Sequence, residues 1–344
     1  MKGRLAVWLL PALAAAAIAL AVPPGDTGDL AYFVHASERL FSGEWASTYA
    51  DPSLQVGPLQ LLLFGSADLL AGALGVSTTR LIALVVGAGI AGLFVLVARR
   101  LLAPREDAVV LLAAGLAPVA LGLTFDAFRD GHPAQVVVPL LWVLAGLEAR
   151  AGRAWIAGAL VGLSTGFELW GLLGVAVLVA APRAAQAVRA AAAALLVAAA
   201  LFAPFALSDF AMFEFRWVVN GDTPLSLVVD PGTEFTWPLR LLQGAAALLA
   251  GGALTWRLRH STAALWAGPL AVVAARLALD PVRYPWYWLA LETLVLLGTM
   301  QLAVAWLERG MAGTVRPTDE TLDAASRNRR RLSRRPRVRL SGDG

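Results

Sequence analysis

The chain contains no cysteine among its 344 residues. Disulfides therefore cannot link its loops, and no thiol can act as a nucleophile or a metal ligand. Charged residues are also scarce, at 15% of the chain, against roughly 25% in an ordinary soluble domain. Lysine occurs once, at Lys2, so nearly all of the positive charge is arginine. These shortages argue against an ordinary soluble enzyme.

Motifs of soluble enzymes are missing as well. The sequence has no glycine-rich phosphate loop, no nucleophile elbow and no pair of histidines at metal-binding spacing. A zinc site therefore has no support. Any enzyme built on this sequence is expected to work at a membrane surface on lipid-linked material.

Apolar residues make up 58% of the chain and are gathered in long blocks. A helix needs about 20 mostly apolar residues to cross the roughly 30 Å hydrocarbon layer of a bilayer. The blocks are rich in alanine, glycine and leucine, which indicates helices rather than barrel strands. We therefore predict an all-α, polytopic transmembrane helical bundle of about ten spans. The predicted spans lie near residues 4–22, 79–99, 107–124, 134–150, 154–167, 168–182, 188–207, 238–256, 262–278 and 287–307.

Clusters of arginine between the apolar blocks predict which loops face the cytoplasm. They alternate with acidic, aromatic segments, which are predicted to be external and lie at 23–56, 124–133, 208–237 and 279–286. Ten spans place both termini in the cytoplasm and make the chain a multi-pass protein of the cell membrane. The first span is expected to be retained rather than cleaved as a signal peptide.

The chain is thus divided into a transmembrane domain, residues 1–310, and a tail, residues 311–344. Eight arginines lie between Arg327 and Arg339. Nothing in the tail could bury a core, so it is predicted to be disordered and cytoplasmic. An arginine cluster in that position favours contact with membrane lipids over nucleic acid.

Residues 58–75 are apolar enough to span the membrane but would break the alternation of loops. Counting them gives eleven spans and places Arg99 and Arg100 outside. We therefore predict that 58–75 forms a juxtamembrane or re-entrant helix on the outer face. It would belong to a first external loop that covers residues 23–78.

The first external segment carries the leading catalytic candidate, Asp29. It precedes a predicted amphipathic helix, and an aspartate at that position is expected first of all to cap the helix. Its carboxylate would then accept a hydrogen bond from an exposed N–H, which contributes roughly 1 kcal/mol. A carboxylate at a membrane surface can also act as a general base. Further polar candidates in this segment are Asp26, Tyr32, His35, Gln55 and Gln60.

A second polar cluster lies in and just after the predicted turn at 124–133. It supplies Arg129, Asp130, His132 and Gln135 as candidate binding residues. A solvated loop with an Arg129–Asp pair is the structural alternative, and exposed ion pairs contribute little stability. His132 suits proton transfer, although a lone histidine before a proline more often caps a helix or forms a structural hydrogen bond.

Glu168 lies between two apolar stretches, at membrane depth or just under the outer surface. An ionisable side chain in such a place is costly, faces the protein interior and is a functional candidate. The structural alternative is an ion pair with a cation on another helix, for which the sequence offers Arg80, Arg129 and Arg276.

The last predicted external turn is dominated by aromatic residues. Its candidates are Arg283, Tyr284, Trp286 and Tyr287. An aromatic belt at the membrane interface explains such residues without a binding role. Aromatic faces also stack on sugars and lipid chains, and a neighbouring arginine suits a phosphate.

The order of these features resembles the C-type (GT-C fold) membrane glycosyltransferases that use polyprenyl-phosphate-sugar donors, in particular the bacterial mannosyl- and arabinosyltransferase-like group. The resemblance covers roughly residues 1–300. It is carried by Asp29-Leu-Ala-Tyr32, Leu40-Phe-Ser-Gly43, Tyr49, Gly57-Pro58-Leu59-Gln60, Gly131-His132-Pro133-Ala-Gln135, Ala157-Gly158-Ala-Leu-Val-Gly162-Leu and Leu279-Asp280-Pro281 with Tyr284 and Tyr287. Relatives often have Tyr-Pro-Pro or Lys-Pro-Pro where this chain has Val56-Gly57-Pro58, and a lysine where it has Glu168.

The resemblance implies an inverting transfer of a sugar from a polyprenyl-phospho-sugar donor to a lipid or glycan acceptor of the cell envelope, on the external face. Asp29 would be the general base. The resemblance further implies that Arg129, Arg216 or Arg283 stabilises the leaving phosphate. Asp130 and His132 would orient the acceptor or the phosphate, and Tyr284 and Trp286 would bind the prenyl chain or the sugar. Some members use a divalent metal, so the resemblance leaves a divalent metal open as a cofactor, although this sequence has no dedicated ligand set and no residue is assigned as a metal ligand.

The alternative is a non-catalytic membrane protein. It would be a lipid or solute transporter, or a degenerate relative of the transferases that acts as an assembly partner. A carboxylate at position 168 in place of a lysine favours this alternative. The concentration of acidic residues in the external segments disfavours it, as does the lack of an inverted repeat.

Overall fold

The computed structural model describes residues 2–22, 28–102 and 107–314. In these ranges every regular element is helical, and β-type pairing is limited to two isolated antiparallel bridges, Val56 with Glu168 and Val218 with Glu234. The predicted all-α class is confirmed. Asp26 and the arginine-rich cluster of the tail lie outside the described residues.

Twelve α-helices make up most of the described chain. They are α1 Lys2–Ala21, α2 Leu30–Phe41, α3 Pro58–Leu74, α4 Thr78–Leu101, α5 Ala108–Ala120, α6 Leu123–Arg129, α7 Ala134–Arg150, α8 Ala154–Phe167, α9 Ala184–Ala206, α10 Trp237–Arg257, α11 Ala264–Ala278 and α12 Trp288–Thr314. Helix α6 occupies the first half of what the sequence predicted as an external turn. Helix α12 continues four residues past the predicted start of a disordered tail at 311.

A few of these helices are long and apolar enough to cross a membrane. Among the described residues they are α4, α9 and the stretch Pro285–Arg309. Helices α5 and α6, bent by 43° at the break between them, add a fourth if they count as one span. Shorter apolar helices cover Leu5–Ala21, Pro58–Leu74, Ala154–Phe167, Leu169–Ala180 and Ala264–Ala278.

One predicted span has a different conformation. Residues Leu169–Ala180 form a 3-10 helix of 12 residues. A 3-10 helix rises about 2.0 Å per residue, so this segment is about 24 Å long despite its few residues. Its two glycines explain its close packing, because a side chain on Gly171 would strike the backbone of Ser164 and one on Gly174 would strike the ring of Trp142.

Small residues also set the spacing of α8 and α9. A Cβ on Gly158 would collide with the Ala190 carbonyl, and one on Gly162 would lie 2.8 Å from the Ala194 carbonyl. Small residues at the contact allow this close backbone approach, and it fixes how the two helices pack. The packing therefore keeps the end of α8, and Glu168 after it, in a fixed place.

The loops gather at the two ends of helix α7. At its start, the segments 28–30, 130–132 and 285–287 contact one another through Asp29, His132 and Trp286. At its end, Glu148 is paired with Arg100 and Arg153, and Arg150 donates to the carbonyl of Ser261. Three predicted external segments thus meet at one end of the bundle. At the other end, arginines of two predicted cytoplasmic loops meet, and a third such loop contributes the carbonyl of Ser261.

The described helices divide into two compact units. The first unit comprises Met1–Gln301 and contains every residue of the candidate site. The second, Leu302–Gly344, is described as far as Thr314, where it consists of the last turns of α12.

Candidate functional site

Asp29 directly precedes helix α2, but its side chain does not cap that helix. The carboxylate accepts no hydrogen bond from the backbone of the first turn, so the expected capping role is wrong. Instead Oδ2 of Asp29 lies 3.1 Å from Nε2 of His132, which is 103 residues away in the sequence. The side chain of Asp29 is 47% exposed, so the carboxylate faces solvent on one side and His132 on the other.

Backbone contacts hold these two segments against each other. The N–H of Asp29 donates to the carbonyl of Asp130 over 3.1 Å, and Nε2 of Gln60 donates to the carbonyl of Gly131 over 2.8 Å. Gly28 and Gly131 have φ values of +81° and +80°. A Cβ on either glycine would come within 2.7 Å of the opposite backbone. The segments approach this closely because neither glycine carries a side chain.

His132 is buried and is held on four sides. Its ring stacks on Trp286 with centroids 4.6 Å apart and planes 9° apart, and Phe33 packs edge-on at 5.3 Å. Nε2 faces Asp29, and Nδ1 lies 3.5 Å from Oε1 of Glu168. That second distance is too long for a normal hydrogen bond, and Nδ1 has no other partner. We therefore treat the Glu168 contact as an interaction between charges.

Glu168 follows α8 in an extended conformation, with φ −150° and ψ 145°. The N–H of Gly57 donates to the carbonyl of Phe167 over 2.7 Å, and Val56 forms a β-bridge with Glu168. The carboxylate accepts a 2.9 Å bond from Nε2 of Gln135 and a bond from the indole N–H of Trp170. Both bonds go to Oε2, so this oxygen fixes the buried carboxylate and leaves Oε1 facing His132.

Two of the three cations that the sequence offered as partners for Glu168, Arg129 and Arg276, pair elsewhere. Arg129 donates to Asp130 and lies 3.3 Å from Asp126, and Arg276 lies 3.6 Å from Asp280. An ion pair between Glu168 and one of these arginines is not formed. Within the described ranges, the ion-pair contact of Glu168 is with His132, at 3.5 Å.

The environment of His132 favours its protonated form. Burial by itself lowers the pKa of the imidazole, but the contacts with Asp29 and Glu168 and their negative charges raise it more, so the pKa lies above its ordinary value. An imidazolium between two carboxylates gives the three groups a net charge of about −1.

An aromatic wall continues from His132. Tyr284 stacks on Trp286 at 4.6 Å with planes 3° apart, and Tyr287 packs edge-on against both rings. Burial, together with the negative charges of Asp29 and Asp280, raises the pKa of the Tyr284 hydroxyl. Since Trp286 already stacks on two rings, its visible role is to support the imidazole rather than to offer a free face to a sugar.

A cavity of about 640 Å³ opens beyond this wall, between the segment 221–227, the end of α11 and the start of α12. It does not reach Asp29. Tyr287 lines it and also contacts Trp286, so this ring belongs both to the cavity and to the aromatic wall. The lining is mostly apolar, with Leu277, Val282 and Leu291 among its residues, and Arg283 lies on it as an exposed cation.

Several predicted site residues lie away from Asp29. His35 is exposed and bonds to Glu38, and Gln55 donates to the carbonyls of Pro52 and Met212. The hydroxyl of Tyr32 donates to Asp51 over 2.8 Å. Burial, opposed by the bond to Ser53, raises the pKa of Tyr32 to about 12.

The structure also brings in residues that sequence reasoning missed. Phe33 and Trp170 contact His132 and Glu168 directly. Arg276, which was considered only as an ion-pair partner, packs over the rings of Trp170 and Tyr287 at 4.8 Å and 5.0 Å. Phe33 lies on the amphipathic helix predicted after Asp29, and no pattern in the sequence distinguishes it from the other apolar residues of that helix.

Within the described ranges, no group of three or more histidine, aspartate or glutamate side chains is arranged to hold a metal ion. The comparisons with known proteins found nothing: no protein-family model, no curated protein and no solved structure matches this chain.

Proposed function

We propose that the protein is an integral membrane glycosyltransferase that transfers a sugar from a polyprenyl-phosphate donor to a lipid or glycan acceptor of the cell envelope, with inversion at the anomeric carbon. Asp29 is the general base. The observation that carries this proposal is the position of its carboxylate, which is half exposed at one end of the bundle and tied to a buried imidazole behind it. That is where a base must lie if it is to meet an acceptor from solvent.

The reaction needs only this one proton acceptor. The acceptor hydroxyl oxygen forms a bond to the anomeric carbon of the donor, and the bond from that carbon to the phosphate oxygen breaks with its electron pair on the phosphate. The hydroxyl proton passes to Asp29. A carboxylate is a weak base for a sugar hydroxyl, so it helps only when it is held within hydrogen-bond reach as the new bond forms.

The cavity supports a lipid-linked donor. Its apolar lining suits a prenyl chain, and Arg283 at its surface can contact a phosphate. Tyr287 places this cavity next to the aromatic wall that ends at His132. We infer that the prenyl chain occupies the cavity and that the sugar extends along the wall toward Asp29.

The grouping of loops supports the predicted topology. We infer a multi-pass protein of the cell membrane with about ten spans, a GT-C-like fold and cytoplasmic termini. The short helices α7, α8 and α11 and the 3-10 helix then count as spans, and α3 as a juxtamembrane helix. The Asp29 end of the bundle faces outward, and the end with Arg100, Glu148 and Arg153 faces the cytoplasm.

The test is a transfer assay with the full chain purified into nanodiscs. Polyprenyl-phospho-sugars that differ in sugar and chain length are offered with lipid and glycan acceptors, and products are identified by mass spectrometry. We expect one donor class to support transfer that is lost in Asp29→Asn. Absence of transfer across the panel, or equal transfer by the variant, contradicts the proposal.

One observation favours a second candidate, a proton-coupled transporter. A buried imidazole between two carboxylates can also load and release a proton during transport. In proteoliposomes with a pH gradient, a transporter would move protons together with a lipid or solute and would lose this flux in His132→Gln. The transferase proposal predicts no such flux.

A further inference from the structure

We propose that Glu168 is a positioning residue for Asp29: acting through His132, its buried charge keeps the imidazole protonated on both nitrogens and thereby holds the Asp29 carboxylate in place. The inference rests on the proposed function for the role of Asp29, but the arrangement of the three side chains can be measured without any transfer assay.

The geometry places the three groups in one line. Oδ2 of Asp29 lies 3.1 Å from Nε2 of His132, and Oε1 of Glu168 lies 3.5 Å from Nδ1 on the other side of the ring. A neutral imidazole carries one N–H, so it would face one of the two carboxylates with a lone pair. Only the doubly protonated ring presents an N–H to each carboxylate.

Every charged group that acts on His132 favours this state. From the N-terminus of α2 the charge is Asp29, and from the loop after α8 it is Glu168. The other elements packed on the ring contribute the uncharged rings of Phe33 and Trp286. Arg129 and Asp130, which precede His132 on its own segment, are bonded to each other. Burial opposes the charge on the imidazole, and the two carboxylates outweigh it.

The hydrogen bonds of Glu168 leave one of its oxygens for His132. It accepts bonds from Gln135 and from the indole of Trp170, and both donors are neutral. The third contact of the carboxylate is the one between Oε1 and Nδ1 of His132. Without that charge, the second proton of the imidazole loses its partner, and the link that fixes the Asp29 carboxylate weakens.

Nuclear magnetic resonance of the imidazole nitrogens tests this directly. The chain has three histidines, and His35 and His260 are both exposed. A His35→Gln/His260→Gln background in nanodiscs leaves His132 as the only imidazole signal from the full chain. Glu168→Gln removes the charge at nearly constant shape, and Glu38→Gln removes an exposed charge from α2 as the matched control. Glu168→Asp, which retains the charge, serves where Glu168→Gln does not fold.

In the background protein we expect His132 to titrate above 6.5, its ordinary value. Loss of an opposite charge at this distance shifts a pKa by about 1–3 units, so Glu168→Gln is expected to lower the pKa of His132 by at least about 1 unit. Glu38→Gln is expected to leave it unchanged, and Glu168→Asp to keep most of the elevation. An unshifted titration in Glu168→Gln overturns the inference, as does a His132 that titrates below 6.5 in the background protein.

The transfer assay then separates this inference from the proposed function. If the imidazolium holds Asp29, wild-type transfer falls as pH rises through the pKa of His132, and Glu168→Gln loses transfer at a lower pH than wild type does. A shifted titration in a protein without any transfer activity supports the three-residue arrangement and contradicts the transferase. Transfer with the same pH profile in wild type and Glu168→Gln supports the transferase and overturns the positioning role.

Discussion

The contact between Gly28–Leu30 and Asp130–Gly131 positions Asp29, and Gly131→Ala perturbs it at a single atom. Gly131 has φ +80°, which costs an alanine of the order of 1–3 kcal/mol. In addition, the new Cβ would lie 2.7 Å from the amide nitrogen of Leu30, whereas ordinary contact begins at 3.4 Å. The two segments must therefore move apart by roughly the difference, about 0.7 Å. A misplacement of about 1 Å at a reacting group can cost about 100-fold in rate, so we expect a loss of that order.

Gly43→Ala separates the two effects of this substitution. Gly43 has φ +89°, but a Cβ there would meet nothing within 4 Å. Both variants place an alanine at a positive φ and carry the free-energy cost of that conformation, but only Gly131→Ala moves Asp29. In a transfer assay we expect Gly131→Ala to lose about 100-fold and Gly43→Ala to lose less than about threefold. Equal activity of the two variants would refute the reasoning.

Three further predictions concern the surroundings of the site. Tyr49→Phe removes the donor to the buried carbonyl of Val56 and is expected to lower stability by about 1–3 kcal/mol in thermal unfolding, and a melting temperature equal to that of wild type would contradict this. Leu277→Trp is expected to raise the KM for long-chain prenyl donors far more than for short-chain analogues, because the indole fills the cavity. An equal effect on both donors would place the prenyl chain outside this cavity. Burial raises the pKa values of Tyr32, Tyr49 and Tyr284. At pH 10.5, absorbance at 295 nm should therefore show less than half of the tyrosine ionisation of the unfolded chain. Full ionisation would show that the rings are exposed.

The positions of the helices could be predicted because an apolar block in lipid has few alternatives to a helix. The ranges predicted for α1, α4, α7 and α8 agree with the structure to within about two residues. The 3-10 conformation of Leu169–Ala180 could not be predicted. It depends on Gly171 and Gly174 meeting Ser164 and Trp142, which are contacts between segments that the local sequence does not specify.

Three side chains that the structure brings together, those of Asp29, His132 and Glu168, were among the predicted candidates, but their pairings were not predicted. Asp29 and Glu168 were each identified from their position next to apolar helices, and each was assigned the wrong structural partner. A backbone N–H was expected for the first and an arginine for the second, because those are the commonest partners of an aspartate before a helix and of a buried carboxylate. His132 replaces both, and its distance in sequence from Asp29 hides the contact from any local pattern.

The most direct test of the central claim compares two carboxylates of the same segment. Asp29 faces His132, whereas Asp51 is held by Tyr32 and Ser53 at the surface. In single-turnover transfer with the preferred donor, we predict that Asp29→Asn abolishes formation of the inverted product. The variant is expected to fold and to bind the donor as wild type does. Asp51→Asn is predicted to stay within about threefold of wild type. Retained transfer in Asp29→Asn, or an equal loss in both variants, would contradict the assignment of Asp29 as the base.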